Sequence, residues 1–333
     1  MDIYGFARNA LAASAVFFVS AAFSSAVLAQ TVRLEIHPLV TTTLTDREFL
    51  TGVREGKPVV IAAELRIPRA GSDRLPAVVL VHGSGGAGAR EAAWADHLNK
   101  LGIATFTLDG FTGRGITSTG ENQALLPRLA MIVDAYRALD LLARHPRIDA
   151  GRIALMGFSR GGQTTLYASL KRFRRLQGSP AVEFAAYLPF YAPCSTTYID
   201  DVDVSDKPIR LFHGSADDYN PVALCRPYVE RLRATGKNVQ LLEYPGAHHV
   251  FDNALGGAPR HSPRSQTVRN CTLQETAGGQ IINARTKQPF TYDDPCVERG
   301  VTMGYNADAH AKALMDVTQF LREVLKLQSS GPV

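Results

Sequence analysis

The sequence predicts an α/β protein, a mostly parallel sheet with helices on both faces. Three observations predict it. Apolar strand-like runs alternate with amphipathic helix-like stretches along most of the chain. Several runs are unbroken Val, Leu, Ile and Ala, as strands buried on both faces require. One run ends in a glycine-flanked turn that leads straight into a helix-like stretch.

The composition agrees with this. The 333 residues are 45% hydrophobic and 20% charged, with 28 Gly and 18 Pro, which excludes a disordered, collagen-like or coiled-coil chain. The length allows a sizeable buried core. A net charge of +5 is spread along the chain, with no dense Lys/Arg face interleaved with aromatics, so no nucleic-acid partner is expected.

Residues 1–29 read as a signal peptide. Arg8 precedes an apolar run over 10–23, small residues follow, and Val27-Leu28-Ala29 fits cleavage between Ala29 and Gln30. The run is short and diluted by Ala and Ser, which favours cleavage over a stable membrane anchor. The expectation is export to the periplasm or beyond, with 30–333 as a single domain. An exported chain with four cysteines is expected to hold two disulfides. No Cys-x-x-Cys pair is present, so the spacing matches no zinc module.

The elements follow in order. Strands are predicted over 59–67, 77–82, 103–108, 152–157, 184–191, 209–213 and 239–244. Helices are predicted over 125–145, 162–176, 223–234 and 307–327. The first helix carries Leu129, Ile132, Val133, Tyr136, Leu139 and Leu142 at helical spacing and stops at Pro146. The cluster Lys171, Arg172, Arg174 and Arg175 reads as positive charge at a helix C-terminus rather than a binding patch. Residues 252–305 are Gly-, Pro- and Arg-containing with weak periodicity. They are too long for a connecting loop and read as an irregular insertion near the active site.

Gly157-Phe158-Ser159-Arg160-Gly161 fits Gly-x-Ser-x-Gly, with a strand before it and a helix after it. A serine hydroxyl needs a neighbouring base to act as a nucleophile. His248-His249 supplies one, just past the last predicted strand. An acid to orient that histidine is offered by Asp217-Asp218, past the strand before. Ser, Asp, His is the chain order of α/β-hydrolases. His213 is expected to shape the acid loop, and His37, His97, His145, His261 and His310 to be surface or capping groups. The loop Val81-His82-Gly83-Ser84-Gly85-Gly86 follows a strand as an oxyanion-hole segment does. The expected donors are the backbone N–H groups of Arg160 and Ser84. It carries no phosphate-loop ending, so no nucleotide site is read there.

Together these segments resemble the dienelactone hydrolase family, from about Val59 to Phe251 and again in the last helix. Asp109-Gly110-Phe111-Thr112-Gly113-Arg114-Gly115 looks like that family's strand-to-helix loop. The family's Gly-x-x-Asp-x-x-x-Pro pattern matches Gly214, Asp217 and Pro221, which selects Asp217. Its His-x-Phe ending matches His249-Val250-Phe251, which selects His249. Ser159 stands where the best-known members carry cysteine. The resemblance implies the α/β-hydrolase fold and ester cleavage. The expected function is that of an exported serine hydrolase acting on small carboxylic esters, without metal or organic cofactor. A serine peptidase of the same fold and a binding protein that has kept the fold without catalysis are the alternatives.

Disulfide pairing follows from placement. Cys194 lies just past strand 184–191 and Cys225 just past the acid loop. If those strands are neighbours, both cysteines share one edge, and the pairs are Cys194–Cys225 and Cys271–Cys296.

Overall fold

A computed structural model describes residues 33–327. The proposed signal peptide therefore lies outside the described residues. In chain order the first half comprises β1 (Arg33–Thr43), α1 (Asp46–Leu50), β2 (Lys57–Ile67), β3 (Leu75–Val81), α2 (Ala89–Lys100), β4 (Ala104–Asp109), α3 (Ala130–Arg144) and β5 (Ile148–Phe158). Then come α4 (Arg160–Tyr167), α5 (Lys171–Gln177), β6 (Ala186–Phe190), β7 (Thr196–Thr197), β8 (Ile209–Gly214), α6 (Cys225–Ala234) and β9 (Val239–Tyr244). The chain ends in β10 (Arg260–Thr267), β11 (Leu273–Glu275), β12 (Ile281–Asn283), β13 (Glu298–Met303) and α7 (Ala307–Val324).

The main sheet has eight strands in the order β1-β2-β4-β3-β5-β6-β8-β9. Only β2 runs against its neighbours, and every pair from β4 to β9 is parallel. β3 is buried at every residue, which is why it reads as an unbroken apolar run. One core cluster gathers α3, α4 and α6 on one face. The other gathers α2 and α7 around Trp94, Phe158, Phe190 and Phe320.

Several elements were not expected from the sequence, β1 and α2 among them. β1 is an edge strand with exposed Leu34, Ile36 and Val40, so its apolar residues do not mark one buried face. α2 has four alanines in twelve residues and buries only Trp94, Ala95 and Leu98 as apolar groups, a weak apolar stripe. The helix expected over 162–176 is two helices. Leu170 takes extended backbone and bridges Val204, ending α4. Lys171 and Arg172 consequently stand at the N-terminus of α5, where the helix dipole opposes them. Carboxylates compensate: Asp203 and Asp206 for Lys171, and the buried Glu275 for Arg172. The basic cluster is thus largely a set of ion pairs.

Residues 252–305 are more ordered than their composition suggests. β10 and β13 pair antiparallel, and β11 and β12 form a small sheet with β7. A minor core of Val268, Cys271, Leu273 and Cys296 sits inside, with Phe290 and Tyr292 packed on it. The expectation of an irregular insertion is corrected here. Short strands that pair across long gaps leave no local periodicity to read. The cysteines are joined as Cys194–Cys225 and Cys271–Cys296.

Candidate active site

Ser159 sits between β5 and α4 with φ of 55°, a left-handed conformation unusual for a residue with a side chain. Three glycines permit this turn. A Cβ on Gly157 would lie 2.2 Å from the Gly161 carbonyl oxygen. One on Gly161 would lie 2.1 Å from the Val81 carbonyl on β3, and one on Gly162 2.3 Å from the Phe190 carbonyl on β6. The close approach is therefore to the neighbouring strands as much as within the turn. We expect Gly161→Ala to lower stability by at least ~1–3 kcal/mol through overpacking, read as a lower midpoint in thermal unfolding. An unchanged midpoint would contradict that packing.

The other two side chains arrive from the carboxyl ends of β8 and β9, the edge where ligands bind in parallel sheets. His249 Nε2 stands 2.9 Å from Ser159 Oγ, and His249 Nδ1 2.8 Å from Asp217 Oδ2. All three residues are buried. Asp217 Oδ1 accepts the backbone N–H groups of Tyr219 and Asn220, both at 2.9 Å. With the carboxylate bound there, Nδ1 of His249 carries its proton and Nε2 is free to accept one.

Burial alone would push the Asp217 pKa up. Attraction to His249 and hydrogen bonding to His213 and His249 outweigh it and hold the carboxyl well below the usual carboxylate range. Because the folded value is depressed, this group stabilises the fold above the unfolded carboxylate range, and the contribution is lost as pH falls towards the folded value. Between about pH 4 and pH 2 the melting temperature should fall more steeply for the wild type than for Asp217→Asn. Equal slopes would contradict the pairing.

The adjacent alternatives are placed elsewhere. Asp218 Oδ1 accepts the Thr302 N–H at 2.7 Å, tying the acid loop to β13. His248 Nδ1 is buried without a hydrogen-bond partner among the described residues. His248→Ala should change kcat/KM by less than about tenfold, and a loss comparable to that of His249→Ala would contradict this geometry. His213 donates from Nε2 to the Asn220 carbonyl at 2.6 Å, so it braces the acid loop.

The loop after β3 crosses directly over the serine. A Cβ on Gly83 would lie 3.0 Å from the Phe158 carbonyl. His82 holds this loop. Its Nε2 accepts the Gly110 N–H at 3.0 Å, leaving Nδ1 to donate to the Gly83 carbonyl at 2.8 Å. Burial pushes its pKa down, in keeping with a neutral ring. Ser84 faces the same cavities as Ser159, and Arg160 is the first residue of α4. The Arg160 guanidinium turns away, donating to the carbonyls of Leu126 and Gln123.

Several residues around the site were not singled out in the sequence. Gln123 donates to Ser84 Oγ and to the Tyr219 hydroxyl, both at 3.1 Å, and its side-chain oxygen accepts from Arg160. Tyr191 and Tyr219 pack their rings 4.7 and 4.6 Å from that of His249. Tyr191 donates to Asp252, which also accepts from Trp94, each at 2.7 Å. These partners are 61 and 158 residues apart in the chain, so no local motif marks them.

The segment 252–305 grips the site. Met303 bridges His249, and the Gly304 N–H donates to the His249 carbonyl at 3.0 Å. Thr267 Oγ1 donates to the Tyr219 carbonyl at 2.7 Å, and the Gln123 N–H to Gln266 Oε1 at 2.8 Å.

Among the described residues one group brings metal-type ligands together: Glu35, His37 and His145. Both histidines point Nε2 at one Glu35 oxygen, at 3.0 and 3.3 Å. His145 Nδ1 accepts the Arg147 N–H at 3.2 Å, which leaves its proton on Nε2 facing Glu35. That is a hydrogen-bonded cluster at the edge strand β1, distant in the sheet order from β8 and β9.

The Dienelactone hydrolase family model matches residues 61–325. The chain belongs to the dienelactone hydrolase family. Its fold is shared with a dienelactone hydrolase-like promiscuous phosphotriesterase from metagenomic libraries. That similarity has a TM-score of 0.56 at 18% identity, over 87% of this chain and 98% of the other. A thermophilic esterase of Thermogutta terrifontis, solved with propionate bound, gives 0.53 at 15% identity, over 82% and 93%. Among curated relatives, esterase LipC of Mycobacterium tuberculosis is 42% identical over 71 residues, which is 21% of this chain and only 17% of that relative's length. The family places this chain among hydrolases with esterase relatives.

Proposed function

We propose that this family member is an exported serine hydrolase of carboxylic esters, with Ser159, His249 and Asp217 as its catalytic residues. One observation carries the reading: His249 joins the Ser159 hydroxyl to the Asp217 carboxylate at 2.9 and 2.8 Å. Ser159 Oγ attacks the ester carbonyl while His249 Nε2 takes its proton. The imidazolium then gives that proton to the departing alkoxide, leaving an acyl group on Ser159. Water, deprotonated by the same nitrogen, releases the acid. Asp217 holds the Nδ1–H tautomer and stabilises the imidazolium. The backbone N–H groups of Arg160 and Ser84 receive the oxyanion, each worth roughly a hundredfold in rate. The expected substrates are small molecules.

Export rests on the signal-like residues 1–29 and on cysteines that are all disulfide-bonded. No helix among the described residues is long and apolar enough to cross a membrane. Assays with p-nitrophenyl acetate and butyrate beside a peptide substrate test the function. Turnover of the esters and not of the peptide is expected. Peptide cleavage with inert esters would contradict it.

A further inference from the structure

Two cavities meet at Ser159, and they are very unequal. One measures about 460 Å³ and the other about 40 Å³. The large one is lined by His249, Val250, Asn253, Leu255 and Met303 as well as Ser159. The small one is lined by Ser159 and Arg160 and closed by Arg128, Gln163, Val268 and Tyr292, without His249.

The chemistry of the triad distinguishes them. The leaving oxygen must reach His249 Nε2, because that nitrogen delivers its proton. The alcohol half of an ester therefore extends into the cavity that His249 lines. With the oxyanion held at the loop after β3 and the start of α4, the acyl substituent is left the other direction, into the small cavity. Resting on the ester-hydrolase reading above, we propose that this protein selects esters of short acids with large alcohols: an acyl group of acetyl to propionyl size, and an alcohol moiety that fills the wide cleft beneath 250–256 and Met303.

The walls of the small cavity reinforce the size limit. Arg128 and Arg160 are 5% and 6% exposed. Their guanidinium groups bond to neutral oxygens, those of Thr196, Leu126 and Gln123. Asp46 also attracts both groups. A longer alkyl chain would meet the polar residues Arg128, Gln163 and Tyr292 rather than an apolar wall, which opposes it beyond its bulk. Tyr292 comes from the 252–305 segment and packs on Phe290, so that segment sets the limit.

Two substrate series test the assignment. Rates are taken by pH-stat on methyl acetate, butyrate and hexanoate, and on methyl, hexyl and cyclohexylmethyl acetate. We expect kcat/KM to fall at least tenfold from acetate to hexanoate, and to hold or rise along the alcohol series. Tyr292→Ala should raise the hexanoate-to-acetate ratio about tenfold by opening the small cavity. Hexanoate cleaved as fast as acetate, with hexyl acetate poor, would reverse the two sides. A hexanoate-to-acetate ratio unmoved in a folded Tyr292→Ala would show that the small cavity does not hold the acyl group. Either result leaves ester hydrolysis by Ser159 standing. Only the absence of Ser159-dependent turnover on every ester would remove both readings together.

Discussion

Ser159→Ala is expected to abolish ester hydrolysis, with a loss in kcat on the order of a million-fold, the scale seen when a triad serine is removed. The side chain makes one hydrogen bond, to His249, so its removal costs little packing. The turn is held by glycine contacts with β3 and β6 and by backbone bonds from Ser159 N–H to the Phe190 carbonyl and from Gln163 N–H to the Ser159 carbonyl. None of these depends on the hydroxyl. The melting temperature should therefore stay close to that of the wild type. Folded Ser159→Ala with turnover near the parent's would mean that another group attacks the carbonyl.

Asp217→Asn is expected to lower kcat by about 10⁴-fold, because an amide facing Nδ1 favours the tautomer with its proton on Nε2. Asp218→Asn should cost less than about tenfold, the range of a change away from the reacting atoms. The two positions are adjacent in sequence and differ in what they face: Asp217 faces His249, and Asp218 faces Thr302. Steady-state kinetics of the two variants side by side checks the ranking. A larger loss at Asp218 would move the acid by one residue and break the account of the loop.

The parallel half of the sheet was legible because burial on both faces writes itself as unbroken apolar runs, as at β3. The serine turn was legible because a left-handed residue between packed strands admits only glycine around it. The choices of Asp217 and His249 over their neighbours came from the resemblance to the dienelactone hydrolase family, whose short patterns around the two strand ends match at those residues. Other parts had no local signature. β1 is an edge strand with apolar residues on its open face. The break before α5 depends on Leu170 bridging Val204, a contact between segments distant in sequence. Gln123, Tyr191 and Asp252 matter through partners far along the chain, and a polar residue in a loop looks the same whether or not it meets one. Within 252–305, β11 and β12 make three pairings and β10 and β13 five, interrupted by a register shift, so no sustained period shows.

In the proposed mechanism His249 makes Ser159 a nucleophile. Labelling with a small organophosphate such as diisopropyl fluorophosphate, followed by peptide mass spectrometry, tests it most directly. One adduct per chain is expected, on Ser159, forming in the wild type and lost or slowed at least a thousandfold in His249→Ala, in line with the size of triad effects. An adduct on another residue, or labelling of Ser159 at an undiminished rate without His249, would contradict it.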